Sequence, residues 1–472
     1  MNKSALKTTV TALVTLGFFA LGCSTPAFAS SDKESVTLTA PTASDVEFNA
    51  VATWNLKTQS ACLYSSTELK VPSNADTPWV SANSCYRWTP PAGTSSGIYV
   101  ASWDSGRSKA LLVISAEPIS EKRNRVVVLV PDYTWQAYDL VKNGNFYFES
   151  VGQKSADFSS RKLNLLRPMN FGIVGDPVNY PSSPALYPSA NPIAFLRSHL
   201  ENVDVVSESN FDESAYQLAD YKTIVLYGHD EYWTAKLKSE IERAVAGGTS
   251  LMNLSGNTGY RKLVREGDVI GFDPPSQGHA ATSRWGDSNG DTTALKLLGV
   301  TYLGEPFGKR QVAQTRVSLR TFRAIKADGL PKEVTGRNIH QLLGGMLARD
   351  ANSALFDGTG IKTGDFFGYD SKIMSIELDG IPESSNGSAE TGFLTKFGSS
   401  QVSIGADAWV NARQGKSGRE WRVGQLIEST YGQGKVFSAG PIGWNYAIAR
   451  GDHVIEKITL NAFKYLGQEV LG

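Results

Sequence analysis

The chain has 472 residues, 41% of them hydrophobic, with 46 Lys plus Arg against 46 Asp plus Glu. A formal net charge of zero leaves no electrostatic footprint for nucleic acid or an anionic membrane surface, and a charged content of 19% excludes a self-repelling disordered chain. The length is ample for two or three domains with cores of their own.

The N-terminus reads as an export signal. Lys3 and Lys7 form a short basic region, Val10 to Gly22 is apolar, and Ala27-Phe28-Ala29 supplies the small-x-small cleavage pattern. Residues 1–29 are therefore expected to be a signal peptide, removed to give a periplasmic or secreted protein. Leu21-Gly22-Cys23 also resembles a lipoprotein signal, so anchoring through Cys23 is the second reading. The run is shorter than the about 20 residues that span a bilayer, and no later run is long enough, so no transmembrane segment is expected. In an oxidising compartment the two remaining cysteines, Cys62 and Cys85, are most simply a disulfide, with two buried free thiols as the alternative.

From 35 to 117 the pattern is all-β. Val36-Thr-Leu-Thr, Val51-Ala-Thr-Trp, Gly97 to Trp103 and Ala110 to Ile114 are short β-favouring runs separated by Pro, Gly and Ser clusters. Such spacing predicts a small immunoglobulin-like β-sandwich domain. A polar stretch from Glu117 to Asn124 reads as a linker. Residues 122–472 then read as an α/β domain. Arg125 to Val130, Tyr221 to Tyr227 and Thr249 to Leu254 are continuous apolar runs, as in strands buried on both faces. Helical spacing lies between them, over Asn191 to Leu200 and after Glu231, where Leu237, Ile241, Ala244 and Val245 share a face and Gly247-Gly248 ends it. Alternation of this kind predicts a doubly wound, mostly parallel sheet. Residues 300–430 read as a β-rich extension, followed by a strand over Gly434 to Gly440 and a helix from Asp452 to Leu466.

Three polar segments follow the three buried strands: Pro131 to Tyr138 with Asn145-Phe-Tyr147 shortly after, Gly228-His229-Asp230-Glu231-Tyr-Trp233, and Ser255-Gly-Asn257-Thr-Gly-Tyr-Arg261. In open α/β sheets ligands bind at the carboxyl ends of strands, so all three should open onto one face. The bland reading of Asp230-Glu231 is a helix start, with Asp230 as its cap. Set beside Tyr138, Tyr147, His229 and Asn257, Glu231 instead suggests hard anionic oxygen donors suited to a ferric-type ion.

These residues carry a resemblance. Thr134-Trp-Gln-Ala-Tyr138, Arg161 through Arg167-Pro168, Gly228-His-Asp-Glu-Tyr-Trp233, Ser255-Gly-Asn-Thr258 and Gly440-Pro-Ile-Gly-Trp444 resemble the C-terminal region of the large (β) subunit of N,N-dimethylformamidase. Arg87-Trp88 to Tyr99 resembles the β domain that precedes it in many relatives. The resemblance implies a sheet like that of class I glutamine amidotransferases and a mononuclear iron held by two tyrosines and a glutamate. Carried over, Glu231 is the carboxylate ligand, Tyr138 the first tyrosine and Tyr147 the second, although Asn143-Gly-Asn-Phe146 replaces the family's small-residue run before it. His229 and Asn257 match positions beside the metal. The implied activity is metal-assisted hydrolysis of a small amide. The formamidase works with a small partner subunit, for which this sequence gives no sign; a homo-oligomer is compatible with it.

Other motifs are set aside. Gly93-x-Ser95-x-Gly97 lacks the strand-turn-helix context of a hydrolase elbow, Asp287 to Asp291 lacks the calcium-loop Gly and Glu, and His199, His279, His340 and His453 stand alone. No cysteine follows Cys85, so glutaminase-type thiol chemistry is excluded. Two competing readings stay open: a non-catalytic exported binding or surface protein that keeps the fold, and a glycan hydrolase pairing Glu231 with Asp230, the only near carboxylate in sequence.

Overall fold

A computed structural model describes residues 35–119 (save 43, 46, 82 and 83), 125–139, 144–150, 153–154, 161–170, 190–272, 285, 293–304, 344–374, 377–381, 402–414 and 418–471. The expected signal peptide and Cys23 lie outside them. Six short strands open the described chain: β1 (Thr37–Thr39), β2 (Val51–Asn55), β3 (Ser60–Tyr64), β4 (Tyr86–Trp88), β5 (Gly97–Trp103) and β6 (Ser108–Ile114). They form two antiparallel sheets, ordered β1-β5-β6 and β2-β3-β4. Period-two alternation turns Trp54, Leu63, Ala101, Trp103 and Leu112 into one shared apolar core. Cys62 and Cys85 form the expected disulfide, their Cα atoms 5.3 Å apart. Pairing enforces it, because Cys62 is in register with Arg87, two residues past Cys85.

The later strands are β7 (Val126–Val130), β8 (Phe148–Ser150), β9 (Gln153–Lys154), β10 (Lys162–Asn164), β11 (Val203–Ser207), β12 (Thr223–His229), β13 (Tyr232–Thr234), β14 (Ser250–Gly256), β15 (Arg261–Glu266), β16 (Val269–Phe272), β17 (Thr301–Gly304), β18 (Met346–Ala348), β19 (Phe366–Phe367), β20 (Leu378–Gly380), β21 (Val402–Gln414), β22 (Gly418–Tyr431) and β23 (Gly434–Ser438). The helices that matter here are α1 (Asp132–Tyr138), α2 (Ile193–His199), α3 (Glu208–Glu213), α4 (Ala235–Ala246), α5 (Thr293–Leu298), α6 (Trp444–Ala449) and α7 (His453–Tyr465).

Nine strands make the main sheet, in the order β11-β7-β12-β14-β23-β22-β21-β18-β19. The first five are parallel; the last four are antiparallel. The sheet is therefore mixed rather than mostly parallel, because the 300–430 region extends its edge. Both faces are covered, which is why the parallel strands read as unbroken apolar runs. Val126, Val128 and Val130 pack with Leu196, Ile458 and Phe463 on one side. Val127 and Leu129 pack with Leu237, Ile241 and Leu298 on the other.

The helix-cap reading of Asp230 does not hold. The helix after Glu231 begins at Ala235 and its cap is Thr234, whose side chain accepts the Leu237 N–H. Asp230 is not a cap, since Tyr232–Thr234 is drawn into parallel pairing with β15. That pairing belongs to a four-stranded sheet, β10-β16-β15-β13, whose apolar side gathers Tyr133, Phe146, Tyr232 and Phe272, with Tyr138 and Tyr147 packed against them. The strip 164–170 beside this sheet is sewn to the small N-terminal module. Asn164 N–H donates to Ala75 O (2.9 Å), Trp79 N–H to Leu166 O (3.0 Å) and Phe48 N–H to Met169 O (3.0 Å).

Candidate active site

Numbered in chain order, the five parallel strands run 2-1-3-4-5, so the connections leave β7 and β12 in opposite directions. Ligands bind outside the carboxyl ends at such a point. There β7 passes through Pro131 into α1, which ends in Tyr138, and β12 ends in His229. Thr134, one turn before Tyr138, clamps the two together: its hydroxyl oxygen accepts the N–H groups of Glu231 (3.0 Å) and Tyr232 (3.2 Å).

The clamp sets Glu231 against the phenols. Tyr138 O–H donates to Glu231 Oε2 at 2.6 Å, and Tyr147 O–H reaches Tyr138 Oη at 3.1 Å. The two rings stack with centroids 4.8 Å apart. Tyr147 also hydrogen-bonds the hydroxyl of Tyr232, a third phenol that residue-by-residue reading did not select. Arg261 Nε donates to Glu231 Oε1 at 3.3 Å, and His229 Nε2 lies 3.2 Å from Glu231 Oε2. The five sequence-chosen residues meet in one place, since Asn257 Nδ2 lies 3.4 Å from His229 Nε2.

Asn257 is held by its own turn. It adopts φ +54, a left-handed conformation that Asn tolerates better than most residues. The N–H groups of Asn257 and Thr258 both donate to the Asp379 carboxylate, at 2.7 and 3.1 Å. Asp379 lies on β20, and Glu377 precedes that strand. Glu377 Oε2 stands 2.9 Å from His229 Nε2 and accepts from Asn257 Nδ2 at 3.1 Å. Glu377 was missed in sequence because it follows none of the buried strands; the only signal is the acid alternation in Glu377-Leu-Asp379 ahead of a Gly. It also displaces Asp230 as the near carboxylate, for the Asp230 side chain is buried and accepts the Trp233 indole N–H at 2.7 Å.

Burial sets the electrostatics. It pushes the Tyr138 phenol well above its ordinary pKa, and the Glu231 charge adds to this; Tyr232 is raised for the same two reasons. Burial alone would lower His229, but the Glu377 and Glu231 carboxylates win and push it up to about 10. Glu231 is the converse: burial opposes its charge, yet His229, Arg261 and the Tyr138 hydroxyl hold it below the usual carboxylate range. The His229 Nδ1 and Asn257 Oδ1 atoms are buried without a hydrogen-bond partner.

Two phenols and a carboxylate are a hard oxygen set of the kind a trivalent ion takes. Metal–oxygen bonds of about 2 Å at right angles put ligand oxygens roughly 3 Å apart, which the 2.6 and 3.1 Å separations here match. The residues present fit such an ion. Among the described residues no group of three or more His, Cys, Asp or Glu side chains could hold a metal, so an ion at this position would have to draw on the phenols.

The set-aside residues stay apart. His199 ends α2 against Phe195, His453 is exposed, and Gly93 to Gly97 forms the approach to β5. His279, His340 and Asp287 to Asp291 lie outside the described residues.

Residues 43–457 match the family model described as N,N-dimethylformamidase beta subunit-like, C-terminal, and the chain belongs to that family. The match begins inside the small β module, so the module is part of the shared region. A search of the curated proteins gives no match.

Proposed function

We propose that this family member is an exported metal-dependent hydrolase that cleaves the C–N bond of a small amide, with one iron held by Tyr138, Tyr147 and Glu231. The observation that supports this most is the convergence of those three side-chain oxygens beside His229, Glu377 and Asn257, at the switch point of the parallel strands. Iron bound there supplies Lewis-acid polarisation of the amide carbonyl. The protein's own groups do the rest. Glu377 is the more accessible carboxylate and takes the proton of the attacking water. His229, with its Nε2–H between two carboxylates, returns a proton to the leaving nitrogen. Asn257 orients the substrate through its amide, and Arg261 keeps Glu231 ionised and in place. We extend the reading to an amidotransferase-like sheet, an immunoglobulin-like N-terminal module over 35–117 and an α/β domain over 122–472, a division that limited proteolysis cutting first between 117 and 124 would support and cutting elsewhere would refute.

Elemental analysis of protein recovered from the periplasm or medium tests the proposal, together with its visible spectrum. About one iron per chain, with a tyrosinate band weakened in Tyr138→Phe and lost with activity in Glu231→Ala, is the expected result. Full iron in Glu231→Ala would refute the ligand set. Size-exclusion of the same sample shows whether the chain works alone, as a homo-oligomer or with a small subunit.

One observation favours the non-catalytic binding reading: a cavity of about 310 Å³ between the small module and the α/β layers, with Trp54, Cys62, Arg87, Asp132 and Arg265 in its wall. It lies across α1 from the phenols. No metal after reconstitution with iron would move the function there.

A further inference from the structure

Tyr138 and Tyr147 are nine positions apart and stand on two different short segments, the end of α1 and the loop 144–147. A seven-residue helix has little stability of its own, so something else must fix the distance between the two hydroxyls. Arg167 reaches both segments from below. It is 2% exposed, and its three nitrogens are spent on three acceptors. Nε donates to Gln136 Oε1 at 2.9 Å, Nη2 to Gln136 O at 2.5 Å and Nη1 to Gly144 O at 2.8 Å. Its charge is matched by Asp139, 3.7 Å away and also fully buried. Asn145 makes a second tie: Nδ2 donates to Asp139 O at 2.9 Å, and Oδ1 accepts the Tyr147 N–H at 2.8 Å. One side chain thus joins the residue after the first tyrosine to the backbone of the second.

We propose that Arg167 and Asn145 are positioning residues, a bracket that sets the spacing of the Tyr138 and Tyr147 phenols. The inference rests on reading those phenols as the working pair of the site, but the geometry it concerns exists without any ion. Arg serves here because a planar fork can bond two carbonyls and an amide oxygen in fixed directions, whereas a lysine ammonium is a single point. Neither residue touches the centre itself: they act through backbone carbonyls, the Gln136 and Asp139 side chains and one N–H. The bracket also reaches further, because Asp139 Oδ1 accepts the Asn170 N–H at 2.5 Å, in the strip sewn to the small module.

The test is fluorine NMR of the full chain labelled with 3-fluorotyrosine, with Tyr138→Phe and Tyr147→Phe assigning the two resonances. In Arg167→Lys and Asn145→Ser both resonances should shift or broaden while that of Tyr99, in the small module, stays put. Iron affinity of the same variants should fall at least about tenfold, or 1.4 kcal/mol. If both variants fold and the Tyr138 and Tyr147 signals are unmoved, the bracket is refuted. Asn145→Ser, which removes only one cross-tie, decides the matter should Arg167→Lys fail to fold. A wild-type protein without iron would overturn the hydrolase reading while leaving the fluorine result to judge the bracket.

Discussion

Thr134→Val is the substitution that most directly tests how the site is assembled. Val matches Thr in shape but carries a methyl group where Thr has its hydroxyl, so the cost of the change is that of the lost acceptor. The oxygen removed accepts two backbone N–H groups, those of Glu231 and Tyr232, and Thr134 is 1% exposed, so no water replaces it. Each buried N–H left unpaired costs about 1–3 kcal/mol, so the pair should cost about 2–6 kcal/mol, a large part of the roughly 5–15 kcal/mol typical of a whole fold. Urea unfolding of Thr134→Val should show that loss. Thr134→Ser keeps the acceptor and should lose only about 0.5–1.5 kcal/mol for its methyl group. The turn freed in the Val variant carries Glu231, so the iron content proposed for the site should drop as well. Equal stability of the Val and Ser variants, within about 0.5 kcal/mol, would show that the clamp does not hold the strand end.

Two further outcomes are expected. Gly256→Ala should destabilise the fold by at least about 1–3 kcal/mol, because its Cβ would lie 2.7 Å from Gly440 O and 2.8 Å from Ile442 N, both backbone atoms; an unchanged melting temperature would mean that the 440–442 segment yields. Glu208 is buried beside Asp230, and both effects hold its carboxyl well above the ordinary 4.5. The folded protein then keeps a proton that the unfolded chain releases, so this stability is complete below about pH 4.5 and is lost as pH rises towards the folded pKa. Glu208→Gln cannot ionise, so its urea midpoint should fall less than that of the wild type as pH rises above about 4.5; parallel curves would refute the assignment.

The parallel strands were legible because burial on both faces leaves no polar interruption, as in Val126–Val130 and Ser250–Gly256. The strand Val203–Ser207 escaped for the opposite reason. Asp204 breaks its apolar run and is tolerated only because Arg125, at the start of the neighbouring strand, pairs with it, a partner that periodicity does not reveal. The bland alternative for Asp230, a helix cap, was open in sequence because a capping residue type is also a good acceptor, and here tertiary structure uses it for Trp233. Tyr138, Tyr147, His229, Glu231 and Asn257 could be grouped because they lie at or soon after strand ends. Glu377, Asp379 and Arg167 could not, since their roles come from β20 and the 164–170 strip crossing the site from elsewhere. The disulfide was legible from the cysteine count and the export signal read at the N-terminus.

The position of β23 has a consequence for how the molecule is made. This strand lies between β14 and β22, yet it leaves the ribosome roughly 180 residues after β14, an interval of roughly 10–35 s at about 5–20 residues per second. Through that interval Ser250–Gly256 has no neighbour on one side, and its open backbone is a template for wrong pairing. The export proposed above would favour the same delay, because a chain crosses a membrane more readily while it is still unfolded.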